Sequence, residues 1–140
     1  MTRNEIMALF ARRHDALVRR DAAALAADYA QDAVVESPWA GTVKGREANE
    51  QAWHTLWSAF PDQVFHQEEL IVDGDRAAWL ATAAGTDLGG FMGLAPTGKP
   101  FRITIVFLFT FDDRHIVHER RIYDFTGMLV QIGVLKAKPA

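Results

Sequence analysis

His118, Glu119, Arg120, Arg121 and Asp124 crowd the end of an aromatic, β-branched stretch that begins at Ile103. Acids, a base and fixed cations at this spacing are the raw material of proton transfer. A strand alternates its faces with a period of two. A regular strand therefore puts His118, Arg120, Ile122 and Asp124 on one face, and Glu119, Arg121 and Tyr123 on the other. The first set is expected to face a pocket. An apolar site with a few converging polar groups suits a small molecule, and a carboxyl group there can have its pKa raised toward the range useful for proton transfer. Asp124 is thus the expected catalytic acid/base, with Arg120 beside it on the ligand. The bland reading is a solvated outer face, or an Arg120–Asp124 ion pair.

The elements that must position these groups follow from periodicity. Residues 3–20 read as a helix, with Met7, Phe10, His14, Leu17 and Val18 at helical spacing. Asp21 reads as the N-cap of a second helix that runs to Tyr29. Val34, Val35 and Glu36 form a short strand that ends in the turn 37–41. Residues 45–60 are the clearest helix, with Ala48, Ala52, Trp53, Leu56, Trp57 and Phe60 on one stripe and Pro61 closing it. Strands follow at 64–72, 77–86, 102–111 and 115–123, and residues 125–134 read as a short terminal helix. Helices followed by a run of strands is an α+β pattern, with an antiparallel, curved sheet covered on one face.

The 140 residues, 49% of them hydrophobic and 24% charged, fit one globular domain, 1–140, rather than a disordered chain. A net charge of −3 gives no basic footprint, so no nucleic-acid partner is expected. No apolar run is long enough for a membrane span and the N-terminus is polar, so a cytoplasmic protein without a membrane partner is expected. The absence of cysteine excludes disulfides and thiolate chemistry. The histidines lack i, i+4 pairing, and no Walker or Rossmann glycine pattern occurs, so no metal or other cofactor is expected.

Several motifs stand in an informative order: Tyr29-Ala30-Gln31-Asp32-Ala33-Val34-Val35 leading to Pro38, Gly41 and Gly45 before the long helix, Phe60-Pro61-Asp62 after it, Gly93-Leu94-Ala95-Pro96-Thr97-Gly98-Lys99, and Asp124 with Gln131-Ile132-Gly133. Over nearly its whole length the chain resembles the SnoaL-like polyketide cyclase (ester cyclase) family of the NTF2-like superfamily. The resemblance implies a cone-shaped α+β barrel with a deep apolar cavity. It also implies an acid at Asp124 acting as general acid/base in an intramolecular aldol closure, without metal or organic cofactor. Two departures stand out. Asp87 occupies a place where members often carry His, and Arg120 one where they often carry Trp. An Arg beside the acid would favour its carboxylate form. The ketosteroid isomerase pattern is not met, because Ser37 follows Val35-Glu36 before Pro38. The limonene epoxide hydrolase pattern is not met either, since Arg102-Ile103-Thr104 lacks the carboxylate two residues on.

The remaining ligand-binding expectations are Trp39 in the turn, Trp53 and Trp57 on the long helix, Tyr29 and His14 at a cavity mouth, Asp87 and Arg102. Trp53 and Trp57 have core packing as their plainer reading. The expected ligand is a small apolar carbonyl compound, either turned over or simply held. The strand Ile103, Ile105, Phe107, Phe109, Phe111 also carries Val106 and Leu108 on its other face. A sheet apolar on both faces needs two covers, so a homodimer through the sheet is expected.

Overall fold

Thr2 begins the first helix with a reciprocal cap. Its hydroxyl accepts from the Glu5 amide at 3.2 Å, and its own amide donates to the Glu5 carboxylate at 2.8 Å. In this computed structural model, which describes residues 1–137, the helix α1 spans Arg3–Arg19. Its buried stripe is Ile6, Leu9, Phe10, Arg13, Ala16 and Leu17. Relative to the expected stripe it is rotated about the axis: Met7, His14 and Val18 face solvent. The cause is Arg13, which reads as a surface residue in the sequence yet is only 2% exposed.

Asp21 caps α2 (Ala22–Ala27) by accepting from the Ala24 amide. The helix stops short of Tyr29, which instead opens the strand β1 (Tyr29–Ser37). A second strand, β2 (Gly41–Lys44), follows the Ser37–Gly41 turn and pairs back antiparallel on β1, where the sequence pattern shows only a turn. The helix α3 (Arg46–Ala59) buries Asn49, Trp53, Trp57 and Ala59, with Phe60 fully buried just beyond it, while Ala48 is exposed.

The strands β3 (Val64–Asp73), β4 (Arg76–Thr86), β5 (Pro100–Phe111) and β6 (Ile116–Tyr123) form an antiparallel meander, and α4 (Phe125–Gln131) ends it. The sheet order is β2-β1-β6-β5-β4-β3. Only the β1–β6 contact is parallel. The edge strands β2 and β3 do not meet, so the expected cone is formed by a curved, open sheet. Its concave face packs on the helices through an aromatic layer. Phe10 sits edge-on to Phe109 at 5.1 Å between ring centroids, and Phe107 and Trp79 lie 4.9 Å apart.

A bulge in the β5–β6 hairpin decides which side chains enter that core. Phe111 pairs with Ile116, but Thr110 pairs with His118, so one step along β5 takes two along β6. Without that extra residue, the register would set His118 opposite Phe109 and Arg120 opposite Phe107. With it, Glu119 faces Phe109 and Arg121 faces Phe107. A one-residue slip exchanges the faces of a strand. The expected inward set, His118, Arg120 and Ile122, therefore points to the outer face, and Glu119, Arg121 and Tyr123 point in.

Candidate functional site

Glu119 is completely buried between two arginines. Its Oε1 accepts from the Tyr29 hydroxyl at 2.9 Å and from Arg13 Nη2 at 3.4 Å. Its Oε2 accepts from Arg121 Nε at 3.0 Å. Arg121 Nη2 lies 2.8 Å from the same oxygen but off the hydrogen-bonding direction, so that nitrogen contributes charge attraction rather than a directed bond. Arg13 Nη2 also donates to Tyr29 at 2.7 Å. Burial raises the Tyr29 pKa well above the ordinary phenol value, against the pull of Arg13, and keeps the hydroxyl a donor. For Arg121, burial opposes the charge, but Glu119 and Tyr29 outweigh it and its pKa is raised. The guanidinium also lies over the rings of Trp53 and Phe107, 4.9 and 5.3 Å from their centroids.

Arg121 and Tyr123 border a cavity of about 40 Å³ between the concave sheet face and the helices. This is room for three or four water molecules at roughly 10–15 Å³ each. Its apolar wall comes from Phe65, Phe101, Ile105 and Phe107 on the sheet, Leu56 on α3 and Met128 on α4. Trp39 closes one side, braced against Phe91 at 5.5 Å. The polar groups are Ser37, Gln63, Arg121 and Tyr123. Gln63 Oε1 is buried without a hydrogen-bond partner. Burial raises the Tyr123 pKa, with Arg121 pulling the other way.

The sequence-predicted residues scatter around this cavity. Trp39 lines it. Trp53 lies behind it, holding Arg121 by its ring face. Tyr29 sits deeper, in the Glu119 network. Trp57 and His14 border a separate groove between α1 and the start of β3. Asp87 is buried away from the cavity and organises its own loop, accepting from Gly90 N, Thr97 N and Thr97 Oγ1. Arg102 is exposed, and its backbone bonds both ends of the Gln131 amide. Arg120 is exposed on the outer face beside the His118–Glu36 contact of 2.6 Å. Asp124 is exposed as well. It is the N-cap of α4, its Oδ1 accepting from the Gly127 amide at 2.8 Å, and it is not among the cavity-lining residues.

Sequence reasoning missed Glu119, Arg121, Tyr123, Arg13 and Gln63. One signal was available. Arg13 falls at i+3 and i+4 from Phe10 and Leu9, and four before Leu17, on an apolar helix stripe. A cation in that position needs a buried carboxylate partner.

An open, curved α+β sheet packed on N-terminal helices in this order is the NTF2-like, or ketosteroid isomerase-like, fold. AclR from Streptomyces galilaeus, provisionally assigned as a hydroxylase, superposes with a TM-score of 0.83 at 25% identity, over 99% of this chain and 91% of that one. IdmH from Streptomyces antibioticus, provisionally assigned as a polyketide cyclase, gives a TM-score of 0.75 at 29% identity, over 91% of this chain and 97% of that one. TsrD from Streptomyces laurentii shares the fold, with a TM-score of 0.83 at 21% identity over 96% and 99%. No curated protein sequence gives a significant match. The profile of the SnoaL-like polyketide cyclases matches residues 8–132, and the chain belongs to that family. No helix among the described residues is long and apolar enough to cross a membrane.

Proposed function

We propose that the cavity holds a small carbonyl compound whose oxygen lies against the Arg121 guanidinium and the Tyr123 hydroxyl. One observation carries this reading. Arg121 reaches a largely apolar cavity while Glu119 and two ring faces hold it in place. Preorganised donors in a water-poor site polarise a carbonyl and stabilise negative charge that develops on its oxygen. Gln63 is available for a second polar group, since its amide can present either end. The cavity wall carries no Asp, Glu or His among the described residues, which favours binding over general-base turnover. The roles of Asp87, Arg102 and Asp124 are then structural.

A second reading keeps catalysis. Membership of a polyketide cyclase family and likeness to IdmH favour it. In that reading the same two donors stabilise an enolate on the way to aldol closure, and Asp124 is the proton carrier.

Acetone, whose four heavy atoms match the space available, separates the two readings in deuterated buffer. Saturation transfer from wild-type protein to its methyl protons reports binding, and loss of the methyl proton signal reports enolisation. Binding that fails in Arg121→Gln, with no acceleration of methyl exchange, is the expected result. Accelerated exchange that Asp124→Asn abolishes and Arg121→Gln retains would reverse the roles of the two residues.

A further inference from the structure

Two spaces in the structure meet at one side chain. The cavity of about 40 Å³ lies inside the cone, and a groove of about 280 Å³ lies on the surface between α1, α3 and the start of β3. Gln63 and Phe65 line both, so the partition between the two spaces is one side chain thick at these residues. The two side chains are held differently. The Phe65 ring is wedged among Trp53, Trp79 and Phe107, at 6.0, 5.6 and 5.9 Å between centroids. The Gln63 backbone is fixed as well. Its amide donates to the Phe60 carbonyl at 3.1 Å, and its carbonyl accepts from Arg20 Nη2 at 2.7 Å. The Gln63 side chain has no such anchor: the residue is 6% exposed, and Oε1 is buried without a hydrogen-bond partner. An unpaired buried polar atom is costly, and a turn toward the groove relieves that cost by giving the amide water. Gln63 is therefore the part of the partition that yields.

Beyond it, Leu17 and Val18 on α1, Trp57 on α3 and Val64 on β3 give the groove apolar walls, with His14 and Arg20 as its ionisable groups. Val18 and Val64 are exposed as the structure stands. We propose that the two spaces are one ligand site in two compartments. The cavity takes the acetyl head of a methyl ketone against Arg121, and the groove takes its alkyl tail, which passes where Gln63 now stands. This rests on the carbonyl-binding reading above and extends it to a ketone with a straight chain. A passage one side chain wide admits methylenes and not a ring. The tail replaces water on the groove wall, which favours a longer chain in proportion to the apolar area covered.

Acetone and 2-heptanone test this, because they share the acetyl head and differ by four methylenes. Each is titrated into protein carrying ¹⁵N-labelled tryptophan, since Trp39 borders the cavity and Trp57 the groove. Acetone should shift the Trp39 indole signal alone, and 2-heptanone should shift Trp39 and Trp57 with one midpoint. A fully buried methylene gives about fourfold in affinity, so 2-heptanone should bind at least about tenfold tighter even with its tail partly covered. Gln63→Ala clears the passage and should widen that ratio. Val18→Glu sets a charge on the groove wall and should narrow it. A wild-type ratio near one, a ratio that neither variant changes, or 2-heptanone shifting Trp57 without Trp39 would overturn the two-compartment site. Acetone shifting Trp39 in that case would leave the carbonyl-binding reading standing. No response of Trp39 to either ketone would overturn both. The wild-type and Val18→Glu titrations decide the matter if Gln63→Ala does not fold.

Discussion

Glu119 and Asp124 lie five positions apart in the sequence and do opposite things. Glu119 is buried and holds two arginines, one of them at the cavity wall. Asp124 is exposed and ends the strand by capping α4. The Gly127 side of this cap is tight, because a Cβ there would fall 2.2 Å from Asp124 Oδ2. Asp124→Ala should therefore destabilise the protein by about 1 kcal/mol, the usual cost of losing an N-cap acceptor, and Asp124→Asn by only a few tenths. Both should bind a cavity ligand like wild type. Denaturant unfolding and titration check the two halves separately, and a loss of binding in Asp124→Asn would return the residue to the site.

Among the elements, the β6 bulge and the 87–99 loop shape the cavity. The bulge turns Arg121 and Tyr123 inward. The loop carries Phe91, only 2% exposed, onto Trp39, Phe60 and Phe125 at one side of the cavity. Asp87 holds that loop with three acceptor contacts, and Gly89 lets it approach α3 so closely that a Cβ would stand 1.8 Å from the Ser58 carbonyl oxygen. Asp87→Ala removes the charged acceptor of three part-buried donors. It should cost about 1–3 kcal/mol and speed amide exchange at Gly90 and Thr97. Exchange at those two amides that matches wild type would show that the loop is anchored by its apolar contacts instead.

For the molecule as a whole, the outer sheet face exposes apolar side chains. Ile71 is 54% exposed and Ile122 45%, and Leu80, Val106 and Leu108 lie half-buried between them. A continuous apolar band of this kind marks an interaction surface. The expected cover is the same face of a second copy, since a two-fold contact is self-complementary. Wild-type protein at micromolar concentration should sediment as a dimer and Ile122→Glu as a monomer. A monomeric wild type would rule the dimer out.

Element order, the mixed class and the family were legible in the chain alone. Hydrophobic periodicity, caps and punctuation are local properties, and α1, α3 and the four strands of the meander lie within a few residues of their expected places. The helical stripe and the strand faces were less secure. Arg13 looks like a surface residue because its partner, Glu119, is 106 positions away in the chain. The face of β6 hangs on a single extra residue in the ladder, and no composition or period reports that. The early end of α2 is settled by the pairing of Tyr29 with distant Ile116, and β2 by a hairpin back onto β1, rather than by propensity. The choice between Asp124 and Arg121 as the group that meets a ligand therefore belongs to tertiary structure. A period of two fixes which residues share a face, and only the register with β5 says which face is inside.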